Sequence, residues 1–363
     1  MPLNVAFIVP YGVGLSPGQR FRFEQWLQLL PQDSLRVSLH PLFDSNTYAR
    51  LYSSGNFGAK VFATTKGLAR RILDVVRSKK VDVVYLFREA FPLGPPVFDL
   101  YLERRVPVVY DFDDAIFLGD TSEANSMITR LKMPQKIQKI IAGSTITTVG
   151  NEFLASYATN FSDSVRVLPT TIDIDKYRPS LDSSPRSLVR IGWSGSKTTS
   201  AHLDTIRPVL VRVLKELPVE LYLIGDPAFR LPNSDRVTVK AWDARSEIRE
   251  ISSFDIGLMP LPDDDWSRGK CGLKALQYMA LEVPPIVSPV GVNTQIVSSG
   301  DNGLVAGSED EWLESIARLV EDESLRRKLG TAARETVIER YSGQQWAPIF
   351  LDTLREAVDL GKA

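Results

Sequence analysis

Short apolar runs rich in β-branched residues recur along the chain. They fall at 4–10 (NVAFIVP), 35–42, 81–87 (VDVVYLF), 106–112 (VPVVYDF), 145–149 and 165–169. Most are continuously apolar, as strands covered on both faces must be. Helix-like stretches such as GQRFRFEQWLQLLP and KGLARRILDVVRSKK lie between them. Strand–helix alternation predicts right-handed βαβ units and a parallel sheet. At 178–187 the pattern gives way to RPSLDSSPRS, rich in Pro and Ser, which reads as a linker. The rhythm then restarts at 188–195, 219–225, 236–242, 255–261, 284–289 and 303–307, and helical stretches fill 309–340 and 342 to about 360. The prediction is α/β: two tandem Rossmann-like domains facing a deep cleft. They would cover 1–175, with a last helix from about 342 to 363 crossing back, and 186–341, with a linker at about 176–186.

Length and composition agree with two such domains. The chain has 363 residues, 44% of them hydrophobic, enough for two cores. The formal net charge of -1 gives no sign of bulk nucleic-acid binding. Residues 1–180 carry 21 Lys and Arg against 17 Asp and Glu, and the remainder 22 against 27, so the first half tolerates an anionic neighbour better. A single cysteine, Cys271, excludes an internal disulfide and a cysteine-cluster metal site, and two histidines make a His-rich zinc site implausible. The N-terminus lacks the basic start of a signal peptide, and no run approaches the roughly 18 apolar residues of a membrane span. The expected location is cytoplasmic, at most peripheral at the inner face of a membrane.

In open parallel sheets ligands bind beyond the carboxyl ends of the strands, so chemistry should follow the strands. After the first, YGVGLSPGQRFR supplies Gly12, Gly14 and Gly18 for a tight loop, then Arg20 and Arg22 to meet an anion; the plainer reading is a turn and a solvated helix start. It is not a dinucleotide fingerprint, because Pro17 stands where the third glycine belongs. After the fourth, YDFDDAIFLGD crowds Asp111, Asp113 and Asp114. They suit acid–base or sugar-hydroxyl work, a hard cation, or capping with one buried salt bridge. In the second half, IGWSGSKTTS places Gly192, Trp193, Ser194, Gly195, Ser196 and Lys197 before a helix starting near Thr199, a natural anion site or an ordinary cap. The run PDDDWSRGKCGLKALQYMALE puts Lys270 and Lys274 around the start of another helix, where cations are unfavourable unless a diphosphate answers them. Cys271 lies in that field but has no base nearby in sequence to make it a nucleophile.

At this point the chain resembles the GT-B fold retaining glycosyltransferases called glycosyl transferases group 1, or family 4. The matching pieces are DVVYLFREAFPLGP, PVVYDFDDAIF, TTVGNEFLASYA, RVLPTTIDIDKYRP, IGWSGSKTT, LYLIGD, the run from 254 to 293 and DNGLVAGSEDEW. The resemblance implies a nucleotide-sugar donor held mainly by the C-terminal domain, an acceptor mainly on the N-terminal one, and no metal or other cofactor. It has departures. Gly269 and Gln277 stand where many members carry two glutamates eight apart. Gln277 can still hydrogen-bond ribose hydroxyls; Gly269 cannot supply a carboxylate, and Asp264 or Asp265 would substitute. Ser194 and Thr199 replace an arginine and a lysine, so Lys270, with Arg268 or Lys197, would carry the diphosphate.

The expected reaction is retaining glycosyl transfer to a glycan or lipid-linked acceptor, in bacterial envelope or exopolysaccharide synthesis. Backbone N–H groups near 192–196, Lys270 and the helix beyond it would stabilise the departing diphosphate. Asp113 or Asp114 would handle the acceptor hydroxyl or the donor sugar. Trp242 would border the base or belong to the core. The basic amphipathic stretch 60–80, with seven cations and one acid, would rest on an anionic membrane or form a solvated outer helix. The alternatives are a non-catalytic binding or partner subunit on the same fold, a sugar-nucleotide epimerase, and a metal-dependent transferase built on the Asp cluster.

Overall fold

The computed structural model describes residues 2–44, 47, 57–119, 132–180, 186–231 and 235–362. The chain forms two compact units, Met1–Thr170 with Gln344–Ala363, and Thr171–Gly343. Residues 181–185 of the linker stretch lie outside the described residues.

The first unit holds β1 (Leu3–Tyr11), β2 (Leu35–Phe43), β3 (Val83–Phe87), β4 (Val108–Phe112), β5 (Ile146–Val149) and β6 (Val165–Val167). They make one parallel sheet in the order β2-β1-β3-β4-β5-β6. Burial explains the apolar runs: Val5 to Val9 and Val83 to Phe87 are at most 1% exposed, so both sheet faces are covered. On one face the ring of Phe350, from the last helix Gly343–Leu360, meets Tyr85 edge-on at 5.3 Å and Trp26 at 5.1 Å. Ala347, Leu354 and Ala357 extend that contact into the core around Val5, Phe7 and Phe23.

The second unit repeats the plan with β7 (Val189–Ser194), β8 (Val219–Ile224), β9 (Val237–Lys240), β10 (Ile256–Met259), β11 (Pro285–Val287) and β12 (Leu304–Val305). The order is β12-β11-β10-β7-β8-β9, again all parallel. Both sheets are doubly wound α/β, the predicted fold class. Each has one place where the winding reverses. It lies between β1 and β3 in the first and between β7 and β10 in the second, and loops leaving such a pair open a crevice.

At the second reversal Gly192 of β7 pairs in register with Gly257 of β10. A Cβ at Gly192 would lie 2.0 Å from the Phe254 ring, and one at Gly257 2.4 Å from the Tyr278 ring. The two glycines therefore make a bare strip of sheet on which both rings rest. The Tyr278 hydroxyl accepts from Ser194 N at 3.0 Å and donates to Leu258 O at 3.3 Å, fixing helix Leu273–Ala280 across both strand ends. Among the described residues no helix is long and apolar enough to cross a membrane.

Candidate active site

In the first unit the three aspartates have separate surroundings. Asp111 is fully buried and accepts from Arg22 Nε at 2.7 Å and from Arg22 Nη2, from Tyr85 Oη at 2.7 Å and from Thr148 Oγ1 at 2.7 Å. Arg22 also donates to Leu168 O at 2.6 Å. Burial would pull its guanidinium down, but Asp111 holds it above the ordinary arginine value. Arg22 was expected to meet an acceptor anion. With no exposed surface it is an internal partner of Asp111 instead, delivered by a kink within Arg20–Glu24 at which Arg22 leaves helical geometry, φ -116° and ψ -116°. Asp113 and Asp114 share Arg88, whose Nη2 reaches Asp113 Oδ1 at 2.9 Å and Asp114 Oδ2 at 2.8 Å.

Arg88 is the residue that sequence reasoning missed. It follows β3 with φ 57°, a left-handed conformation unusual for arginine, and its N–H donates to Asp111 O at 2.7 Å. The one available signal was a charged residue directly after a strand at the reversal. The glycine loop packs here too. A Cβ on Gly18 would lie 2.6 Å from Asp113 Oδ2, so a larger residue there would have to displace that carboxylate. Glu24 accepts from Gly14 N at 2.9 Å and Gln19 Nε2 at 3.0 Å, and Gln19 Oε1 accepts from Tyr11 N at 2.9 Å, which ties the loop from Gly12 to Gly18 back onto its helix. Burial raises the Glu24 carboxyl above its usual range. Arg20 stacks on Phe21 at 5.1 Å. Among the described residues no group of three or more His, Cys, Asp or Glu is placed to hold a metal ion.

In the second unit the expected backbone cradle at 192–196 is already engaged. Ser194 N donates to Tyr278, Gly195 N to Ile224 O at 2.9 Å, and Ser196 N to Thr199 Oγ1 at 3.0 Å. Gly192 lies inside the strand under Phe254, and Trp193 is a core residue at 1% exposure, so neither meets a ligand as expected. Ser196 and Lys197 are exposed, and a 3-10 segment, Ser200–Ile206, follows them before helix Arg207–Glu216.

The loop after β10 contains a short helix, Asp265–Arg268, that its sequence does not announce. Asp264 caps it by accepting from Ser267 N at 2.7 Å, and Arg268 pairs with Asp263 and Asp265, each at 2.9 Å. Asp264 and Asp265 are thereby engaged, as is Arg268, and Gly269 ends the turn. Lys270 and Lys274, both half-buried, flank the start of helix Leu273–Ala280. The Lys270 ammonium lies 5.5 Å from the Trp266 ring centre and that of Lys274 5.6 Å from Trp193. Cys271 Sγ contacts Gly269 O at 3.8 Å.

Gln277, expected at ribose hydroxyls, is 4% exposed and donates to Tyr177 Oη at 3.0 Å and Glu247 Oε1 at 3.4 Å. Glu247 also accepts from Tyr177 Oη at 3.2 Å and from Trp242 Nε1 at 2.9 Å. The Gln277 amide therefore serves an internal network, in which Trp242 is the outermost member at 38% exposure.

The two doubly wound parallel sheets agree with the GT-B fold expected from the sequence, which the chain shares with solved glycosyltransferase structures. Residues 233–336 match the family described as Glycosyl transferases group 1, which upholds the resemblance read from the sequence. N-acetyl-alpha-D-glucosaminyl L-malate synthase of Bacillus anthracis is 26% identical over 189 residues, 46% of this chain and 48% of that protein. The chain thus spans about half the length of the curated relative it matches. Three solved structures share the fold. Sucrose-phosphate synthase from Thermosynechococcus elongatus aligns with TM-score 0.74 and 14% identity over 98% of both chains. The catalytic domain of Arabidopsis thaliana starch synthase IV, bound to ADP and acarbose, gives 0.70 and 14% over 99% of this chain and 100% of that one. Anabaena HepE in complex with UDP and glucose gives 0.68 and 13% over 97% and 99%.

Proposed function

We propose that this chain is a retaining glycosyltransferase that moves a sugar from a nucleoside-diphosphate sugar to a glycan or lipid-linked acceptor, in bacterial envelope or exopolysaccharide synthesis, without a metal or other cofactor. The observation that carries the reading is the pair of half-buried lysines, Lys270 and Lys274, at the sheet reversal of the second unit. Two cations beside a helix N-terminus repel its dipole and each other, and a diphosphate relieves both. As the sugar–phosphate bond breaks, negative charge grows on the leaving phosphate, so these groups favour the transition state over the bound donor. The nucleoside diphosphates in the HepE and starch synthase structures support a donor of that kind. In the first unit Asp113 and Asp114, oriented by Arg88, would orient or deprotonate the acceptor hydroxyl.

A lipid-linked acceptor is supported by helix Phe57–Arg77. Phe62, Leu73 and Val76, on one face by helical spacing, are 67%, 56% and 53% exposed, with Lys66 and Arg70 beside them. An outer helix normally turns polar residues to solvent, whereas apolar residues edged by cations suit an anionic bilayer surface. Sedimentation with phosphatidylglycerol vesicles, lost on Leu73→Glu, is the expected result; equal recovery with neutral vesicles would refute it.

The donor reading is tested by a thermal-shift screen against UDP-, GDP-, ADP- and TDP-sugars with wild-type protein and Lys270→Ala. One nucleotide class should stabilise the wild type, and the variant should lose most of that shift. No shift with any of them would leave the partner-subunit alternative.

A further inference from the structure

Of the chain's six tryptophans, Trp26, Trp193 and Trp312 are at most 2% exposed, Trp346 packs against the core of the first unit, and Trp242 gives its N–H to Glu247. Trp266 is different. It is 39% exposed, yet the turn that carries it is fixed on every side. Asp264 caps helix Asp265–Arg268, Arg268 pairs with Asp263 and Asp265, and Ser267 is 1% exposed. The loop after β11 backs the same turn closely, since a Cβ on Gly291 would lie 2.9 Å from Arg268 O. A large apolar ring is thus held out to solvent on a rigid support, where covering its surface would be favourable. The Lys270 ammonium lies 5.5 Å from the ring centre, so the indole and the lysine pair are neighbours.

We propose that Trp266 is the platform for the donor's sugar ring, which lays its C–H face on the indole while the diphosphate rests on Lys270 and Lys274; this rests on the donor reading above. In a nucleoside-diphosphate sugar the sugar is joined to the outer phosphate through one oxygen. A phosphate on Lys270 therefore brings the sugar within reach of the Trp266 ring. The polar residues of the turn are committed elsewhere. Asp264 and Asp265, expected to recognise the sugar where Gly269 has no carboxylate, are held by Ser267 N and by Arg268. Trp266 supplies the contact that they do not. A pyranose, with hydrogens gathered on one face of its ring, is the class of sugar that a flat aromatic surface takes.

The test is calorimetric titration of wild type, Trp266→Ala and Trp266→Phe with UDP, GDP, ADP and TDP and with their sugar esters UDP-glucose, UDP-N-acetylglucosamine, GDP-mannose, ADP-glucose and TDP-glucose. Trp266→Ala should weaken the ester that binds by about tenfold and its nucleoside diphosphate by less than about twofold. Trp266→Phe keeps a ring and should retain most of the ester's affinity. The side chain replaced is exposed, and unchanged binding of the nucleoside diphosphate shows that the variant's site is intact. Equal weakening of ester and nucleoside diphosphate would put the base on the ring, or make its role structural, and overturn the proposal. So would an unweakened ester, or a nucleoside diphosphate that binds wild type while none of its esters does; each leaves the diphosphate site standing. Failure of all of them to bind wild type would overturn the donor reading and this one with it.

Discussion

Asp111 lies two residues from Asp113 and serves a different end. Strand alternation sends its side chain into the sheet layer, where a buried carboxylate needs a full set of donors, and Arg22, Tyr85 and Thr148 supply them. Removing the cation leaves a buried charge unanswered, so Arg22→Met should destabilise the first unit by about 3–5 kcal/mol. Urea unfolding followed through Trp26, which lies 5.3 Å from the guanidinium, should show it; an unchanged midpoint would contradict the account. Glu103 presents the opposite case. Its Oε1 is buried without a hydrogen-bond partner, and burial, then Asp99, raise its carboxyl to about 8. A folded value above the unfolded one means stability present at low pH and lost as pH rises through about 8. Between pH 5 and 9 the wild-type melting temperature should fall more steeply than that of Glu103→Gln, and parallel profiles would refute it.

At the scale of elements, all twelve strands among the described residues were legible, most of them because continuous apolar runs of four to eight residues have few other uses. Shorter and polar features were not. Helix Asp265–Arg268 is one turn whose capping carboxylate reads as part of an acidic loop, and the kink at Arg22 leaves no periodic mark. The candidate site was legible where residue type conflicts with position, as with Lys270 and Lys274 before and within a helix start. It was illegible where contact across sequence distance decides the role. In sequence Gly192 reads as part of a phosphate loop, yet the Phe254 ring lies against it, and Arg22 reads as part of a solvated helix start, yet it is paired with Asp111. Arg88 matched no pattern at all. The last helix is an element with a structural duty, since Phe350 is 1% exposed within the aromatic cluster of the first unit. Phe350→Ala should cost about 3–5 kcal/mol. Chemical denaturation should show the loss in the unfolding step of the first unit, and a transition unmoved within about 1 kcal/mol would mean the helix is peripheral.

For the whole molecule, the two units share one plan and differ in chemistry. The first gathers carboxylates around an arginine at its reversal, and the second gathers cations around a helix start. On the function proposed above, a diphosphate belongs with the second. Hydrogen–deuterium exchange with and without saturating nucleotide sugar, taken from the class that stabilises the protein, tests this most directly. Protection is predicted over 194–206 and 264–276, with residues 12–22 and 111–119 unchanged by nucleotide alone. Protection confined to 12–22 and 111–119, with none in the second unit, would contradict the assignment of the donor to Lys270 and Lys274.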